Sequence, residues 1–155
     1  QLYSKARDNF DLTLSLLEPV ELPFYTGGLT MKLTKAGIIL NTQKHQECVD
    51  FYGTILGLDI MFKIDRPKEK ITTFALGEVY LMIEPGGHTQ AGQKSVAIFP
   101  TKFRFNVNDV QIECQALRRK GVQVEVIDHS WGTTAEFSDP DGNRCALRSQ
   151  RDFGC

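Results

Sequence analysis

The sequence predicts an α+β fold made of two βαβββ modules, because one order of elements occurs twice along its 155 residues. In each copy a short alternating strand precedes an amphipathic helix, the helix ends at a glycine, and three further strands follow. The segment from Glu47 to Ile60 resembles the segment from Glu113 to Val124 in this respect. Neither helix can bury its apolar face within one small module, so the two copies are predicted to share one assembly.

Both helices carry the end signals of amphipathic helices. The first is predicted over about residues 44–56 and ends at Gly57, and the second ends at Gly121, because glycine readily adopts the left-handed conformation that closes a helix. Short polar side chains that can accept backbone N–H groups precede each helix, namely Asn41 or Thr42 for the first and Asn108 or Asp109 for the second.

Short alternating runs bounded by Gly, Pro and Asp predict four strands in each module. They are expected near residues 35–40, 58–64, 71–76 and 79–84, and then near residues 102–107, 122–128, 133–138 and 143–149. The last two strands are joined by Asp139-Pro140-Asp141-Gly142, whose proline and glycine predict a tight hairpin. The modules are therefore placed at residues 31–84 and 101–149, with a connector over residues 85–100.

Residues 1–30 lie outside this repeat. They are predicted to form an arm that is helical in part, over about residues 8–17, and the repeat domain then occupies residues 31–155. The arm is interpreted as a packing segment or a leader. The alternative is an arm that closes over a partner subunit or over the site.

Composition narrows the class of protein. A formal net charge of −1 gives no basic face for nucleic acid, and no apolar run reaches membrane-spanning length. The four cysteines form no CxxC pair, which favours buried free thiols over reactive or metal-binding ones. We therefore expect a cytoplasmic protein with no nucleic-acid and no membrane partner.

Three motifs resemble the vicinal oxygen chelate superfamily, which includes glyoxalases, bleomycin resistance proteins and extradiol dioxygenases. They are the helix Cys48–Tyr52 followed by Leu56-Gly57-Leu58, the junction Phe105–Val110, and Trp131-Gly132 with Phe137–Asn143. Together they span about residues 32–149. The resemblance implies a cup of two curved mixed sheets with helices outside, a small ligand held in the cup, and a homodimer.

Enzymes of that superfamily hold a divalent metal at four positions, and the resemblance places these on Gly37, Glu84, Lys102 and Ala146. Of these, Glu84 alone has a side chain that binds a metal, whereas a metal enzyme needs two or three protein ligands. The sequence therefore predicts no metal, no cofactor and no catalytic residue.

Strand alternation predicts which side chains line the cup. They are Tyr80, Met82 and Glu84 from the fourth strand, Lys102, Arg104 and Asn106 from the fifth, and Arg148 from the last. Trp131 is placed at the mouth as a stacking surface for a flat ligand, and the alternative is a residue that packs within the hairpin. Two interpretations of their charges stay open. Glu84 could pair with Lys102 or Arg104 across the cup so that nothing binds, or surplus positive charge could hold a carboxylate or phosphate of a ligand.

The leading functional hypothesis is a metal-independent small-molecule-binding protein of the bleomycin resistance type, with an anionic or aromatic ligand. The alternative is a metal-dependent glyoxalase-like lyase, isomerase or dioxygenase. A third hypothesis is an interaction module whose cup is filled by its own side chains.

Overall fold

Two four-stranded mixed sheets and two helices make up the part of the chain that the computed structural model describes, which is residues 33–151 and residue 153. The arm predicted over residues 1–30 lies outside the described residues, as does Cys155. None of the described helices is long and apolar enough to cross a membrane.

The first sheet contains β1 (Ala36–Thr42), β2 (Ile60–Arg66), β3 (Glu69–Leu76) and β4 (Val79–Pro85) in the order β1-β4-β3-β2. β1 and β4 are parallel, and the other neighbours are antiparallel. The helix α1 (His45–Asp50) continues as a π-helical turn over Phe51–Ile55 and is followed by Gly57 at φ 75°. The predicted extent of this helix is confirmed. Its cap differs, because the helix begins after Lys44, whose N–H donates to Thr42 Oγ1 at 2.9 Å.

The second sheet repeats this plan with β5 (Phe103–Val107), β6 (Glu125–His129), β7 (Gly132–Ser138) and β8 (Arg144–Ser149) in the order β5-β8-β7-β6. The helix α2 (Val110–Arg119) begins at Asp109, whose carboxylate accepts the N–H groups of Gln111 and Ile112 at 2.8 and 3.0 Å. The α+β fold of two βαβββ modules is therefore confirmed.

Alternation along the strands separates a helix-bearing face from a helix-free face in each sheet. Strand alternation places the apolar side chains between the predicted cup residues under the helices, and these are buried at Leu81, Ile83, Phe103, Cys145 and Leu147 and half-buried at Val79, Phe105 and Val107. The residues between them, which include Tyr80, Met82, Arg104 and Arg148, belong to the helix-free faces.

The helix-bearing faces of both sheets meet in one core at the end of α1. The rings of Tyr52 and Phe103 lie 6.2 Å apart between centroids, and those of Phe51 and Phe137 are at the same distance. Tyr52 is fully buried. Since the two sheets turn their helix-bearing faces toward a common core, their helix-free faces point away from each other within one chain.

The hairpin between β7 and β8 fastens the connector and α1 to the second module. We call this group the hairpin latch, and its side chains are Asp139, Asp141, Asn143, Lys94 and Tyr52. Lys94 Nζ donates to Asp141 Oδ2 and Asn143 Oδ1, both at 2.8 Å, and the Tyr52 hydroxyl donates to Asp139 Oδ2 at 2.8 Å. The predicted tight turn therefore also joins three segments that are distant in sequence.

Three cysteines among the described residues are free and buried, as predicted. Burial raises the pKa of the Cys48 thiol to about 12, and it raises the pKa values of Cys114 and Cys145 as well. Because a thiolate is the nucleophilic form of cysteine, these three thiols are not activated nucleophiles.

Candidate functional site

The helix-free face of the first sheet is largely apolar. Tyr80 on β4 lies over Gly37 on β1, so closely that a Cβ atom on Gly37 would overlap the Tyr80 ring. Met82 is in register with Ile39 and with Thr73, and Ile39 is 55% exposed. The predicted residues Tyr80 and Met82 therefore lie on one apolar surface, of which Gly37 forms the floor under the tyrosine ring.

The salt bridge proposed from sequence between Glu84 and Lys102 or Arg104 is not formed. Glu84 Oε2 instead accepts a hydrogen bond from Asn41 Nδ2 at 3.3 Å, and Lys102 Nζ pairs with Glu136 at 2.5 Å. The physical reason is the arrangement of the two sheets. Glu84 belongs to the helix-free face of the first sheet, and that face points away from the one that carries Lys102 and Arg104.

The four positions that the superfamily uses for a metal do not fit one in this chain. Gly37 has no donor atom and is covered by the Tyr80 ring. Ala146 has no donor either and is fully buried. The ammonium group of Lys102 repels a cation and already neutralises Glu136. Glu84 alone cannot hold a catalytic metal, and the described residues contain no group of three or more His, Cys, Asp or Glu that could do so.

The helix-free face of the second sheet carries excess positive charge. In register across the strands, Ala146 lies between Arg104 and Glu136, with Glu125 at the far end of that row, and Arg148 lies between Asn106 and Thr134. Lys102 and Glu136 compensate each other, whereas no described acidic group pairs with Arg104 or Arg148. This face is therefore suited to an anion.

Arg148 lies at the centre of what we call the Arg148 cluster, which consists of Arg148, Trp131, His129 and Phe153. Its guanidinium carbon lies 5.0 Å from the centroid of the Trp131 ring and 4.7 Å from that of Phe153. Its Nη1 atom is buried and has no hydrogen-bond partner among the described residues. Since a buried donor without a partner is costly, this atom is a natural point of attachment for a ligand oxygen.

Trp131 lies in the turn between β6 and β7, and neighbouring side chains hold its ring in place. The rings of His129 and Trp131 stack with centroids 4.5 Å apart and planes 5° apart, and His129 Nε2 is 3.1 Å from Thr134 Oγ1. Trp131 is nevertheless 48% exposed. The cluster therefore combines a fixed, accessible aromatic surface with a cation, which is a combination that recognises flat anionic molecules.

The structure brings together some of the predicted site residues and separates others. Trp131 contacts Arg148, and Asn106 is its neighbour across the strands. Tyr80, Met82 and Glu84 lie on the other sheet. Two important residues were missed, Glu136 and Phe153. Glu136 alternates with the buried Phe137 and could have been found by the same strand argument. Phe153 follows the last strand, where no sequence pattern indicates its position.

A groove of about 700 Å³ lies between the π-helical turn of the first module and the segment from Gly121 to Glu125, and Glu136 also lines it. Its lining includes Lys120, whose Nζ already donates to the carbonyl oxygens of Thr54 and Ile55 at 3.2 and 2.7 Å. Because this ammonium group is occupied by helix-end carbonyls, the groove offers less to an anion than the Arg148 cluster does.

Comparison with known proteins adds the family context. The family model of the Glyoxalase/Bleomycin resistance protein/Dioxygenase superfamily matches residues 36–147. No curated protein is similar to the chain in sequence. Among solved structures, TnmS3, an antibiotic binding protein from Streptomyces sp. CB03234, is 21% identical with a TM-score of 0.60, over 77% of this chain and 98% of that chain.

Two further solved structures share the fold. A lactoylglutathione lyase from Agrobacterium tumefaciens is 16% identical with a TM-score of 0.61, over 81% of this chain and 100% of its own. A superfamily member from Sphaerobacter thermophilus DSM 20745 is 19% identical with a TM-score of 0.59, over 78% of this chain and 100% of that chain. At such identities the similarity shows a common architecture, on which different activities occur.

Proposed function

Because the chain belongs to the Glyoxalase/Bleomycin resistance protein/Dioxygenase superfamily, we propose that it is a metal-independent binding protein for a small anionic, aromatic molecule. The observation that carries this proposal is the Arg148 cluster, in which a guanidinium group without an acidic partner lies against the exposed ring of Trp131. Binding of this kind needs shape, stacking and charge, and it needs no activated water.

The two alternatives from the sequence have less support. A metal-dependent lyase, isomerase or dioxygenase requires donors where this chain has Gly37, Lys102 and Ala146. An interaction module with a filled cup requires its charges to be neutralised internally. The Lys102–Glu136 pair meets that requirement in part, but Arg104 and Arg148 have no described acidic partner.

The experiment that tests the proposal uses the fluorescence of Trp131, which is the single tryptophan of the chain. We expect benzoate and benzenesulfonate to change this fluorescence saturably, and we expect benzamide, which has a similar shape without the charge, to bind at least about tenfold more weakly. A hydrogen bond to a charged group contributes about 1.5–3 kcal/mol, so Arg148→Gln is expected to raise the Kd for benzoate by about tenfold or more. Chelation with EDTA is expected to leave that Kd unchanged.

The matched control is Arg66→Gln, which removes an arginine that pairs with Glu69 on the first module. This variant is expected to bind benzoate as the natural chain does. The proposal fails if neither aromatic anion binds, if Arg148→Gln binds them unchanged, or if EDTA abolishes binding.

A homodimer is part of the same proposal. The helix-free face of the first sheet exposes Ile39 to 55% and Phe62 to 44%, and these two residues lie in one row with Met82 and Thr73. Exposed apolar surface of this kind marks interfaces in soluble proteins. Since the two helix-free faces of one chain point away from each other, a second copy is needed to close a cup over either of them.

Sedimentation velocity tests the homodimer. We expect the natural chain to sediment as a dimer and Phe62→Glu to sediment as a monomer, because a buried unpaired carboxylate opposes association. Ile112→Glu is the control, since Ile112 is an exposed apolar residue on α2. A monomeric natural chain, or a dimer that tolerates Phe62→Glu, contradicts the proposed interface.

We also propose a cytoplasmic location. The free thiols of Cys48, Cys114 and Cys145 support it, because thiols stay reduced in that compartment.

A further inference from the structure

We infer that Phe153 is a movable cover of the ligand site, and that the ligand's own aromatic ring replaces Phe153 against the Arg148 guanidinium. This inference rests on the proposed function, since it concerns the same site. It narrows the ligand class to planar aromatic anions whose charged group lies close to the ring.

The first observation is that the Nη1 atom at the centre of the Arg148 cluster is covered. Arg148 Nη1 is buried without a hydrogen-bond partner among the described residues. A ligand oxygen can therefore reach this atom only if a neighbouring side chain moves. The aromatic rings recorded against the guanidinium are those of Trp131 and Phe153, at 5.0 and 4.7 Å.

The second observation is that these two rings are held differently. Trp131 belongs to the turn between two paired strands and stacks on His129 with the planes 5° apart. Phe153 follows the end of β8 and is 52% exposed, and its N–H donates to the Gln150 carbonyl oxygen at 3.1 Å. Among the residues that the structure describes, moving Phe153 breaks neither a strand pairing nor a ring stacking, so we expect Phe153 to be the ring that moves.

The third observation concerns what a ligand must replace. Phe153 contributes a cation–π contact to Arg148, and a planar ring in the same place restores that contact. The ligand's carboxylate or sulfonate then supplies the acceptor that Nη1 lacks. A saturated ring of the same size cannot restore the cation–π contact, so an aliphatic carboxylate is expected to leave Phe153 in place.

The test compares the Kd for benzoate of the natural chain with that of Phe153→Ala. Both Kd values are measured by isothermal titration calorimetry and by Trp131 fluorescence. When a competing side chain occupies the site for part of the time, the apparent affinity of a ligand falls in proportion to the fraction of time for which the site is free. Given the usual strength of an exposed cation–π contact, Phe153→Ala is expected to bind benzoate about two- to fivefold more tightly. Cyclohexanecarboxylate is expected to bind both chains more weakly than benzoate does, because its saturated ring makes no cation–π contact with Arg148.

Two variants serve as controls. Phe153→Tyr keeps a ring against Arg148 and is expected to match the natural chain. Ile112→Ala removes an exposed apolar side chain on α2, outside both the Arg148 cluster and the proposed dimer interface, and its Kd for benzoate is expected to be unchanged.

The possible outcomes separate the inference from the function on which it rests. If Phe153→Ala binds benzoate as the natural chain does, or more weakly, Phe153 is not a cover and the inference is overturned. In that case, loss of binding in Arg148→Gln still upholds the proposed function. If neither the natural chain nor Phe153→Ala binds benzoate or benzenesulfonate, both proposals fail together.

Discussion

Replacing Lys94 with methionine is expected to lower the free energy of unfolding by about 3–5 kcal/mol, which is the usual cost of leaving a buried charge without its partner. The Lys94 side chain is 7% exposed and that of Asp141 is fully buried, and the two charged atoms lie 2.8 Å apart. Methionine keeps most of the apolar length of lysine. The expected loss of stability is therefore the cost of leaving the Asp141 carboxylate without a counter-charge, and not the cost of a cavity.

Urea unfolding monitored by circular dichroism measures this loss. Arg66→Met is the matched control, because it breaks a salt bridge whose side chains are 73% and 43% exposed. Exposed pairs contribute between zero and about 1 kcal/mol, so the control is expected to be nearly neutral. Adding Asp141→Asn to Lys94→Met removes the unpaired carboxylate charge at position 141 and should restore part of the stability. Equal effects of Lys94→Met and Arg66→Met would show that the hairpin latch does not hold the connector.

Replacing Tyr52 with phenylalanine is expected to destabilise the protein more at neutral pH than at acidic pH. Burial raises the pKa of Asp139 above its ordinary value of 3.8, while hydrogen bonds from Asn143 and Tyr52 lower it part of the way back. The folded state therefore binds this proton more readily than the unfolded chain does. Consequently the contribution of Asp139 to stability falls as the pH rises from 3.8 through the raised folded pKa.

The Tyr52 hydroxyl offsets part of that fall, because it donates to Asp139 Oδ2 at 2.8 Å. Without it, the pKa of Asp139 rises further and the fall becomes steeper. We expect Tyr52→Phe to cost about 1.5–3 kcal/mol when Asp139 is ionised and about 0.5–1.5 kcal/mol when it is protonated. Unfolding in urea at neutral pH and at a pH below 3.8, where the raised pKa keeps Asp139 protonated in the folded state, measures the two values.

Tyr80→Phe is the control for this pH dependence. It makes the same chemical change at a tyrosine whose hydroxyl has no recorded hydrogen bond to the described residues, so its effect should be small and equal at both pH values. If Tyr52→Phe were equally destabilising at both pH values, the hydroxyl would not be stabilising the ionised form of Asp139.

Much of the fold could be predicted because its signals are local. Asp109 is followed at once by an amphipathic run, and its carboxylate does accept two backbone N–H groups of the first helical turn. The alternation of Phe103 with Arg104 predicted which side of β5 is buried, since a strand places successive side chains on opposite faces. Such features depend on neighbours within a few residues.

The candidate site was predicted only in part, because its contacts join residues that are distant in sequence. Alternation placed Glu84 and Lys102 on helix-free faces but could not show that these faces point away from each other. That arrangement follows from the packing of Phe51 and Tyr52 against the second sheet. It explains why Lys102 pairs with Glu136 and why Arg148 has aromatic neighbours instead of an acidic one.

By itself, then, the sequence determined two βαβββ modules, the cap of the second helix, the tight turn at residues 139–142, and the buried faces of β4, β5 and β8, since periodicity and short-range backbone preferences fix all of these. It also determined that Gly37, Lys102 and Ala146 are not metal donors, because that is a property of the residues themselves. Only the tertiary structure decided that Tyr80 covers Gly37, that the latch joins the modules, and that Phe153 lies against Arg148. Each of these depends on which surfaces pack together, and side-chain packing between distant segments has no local pattern.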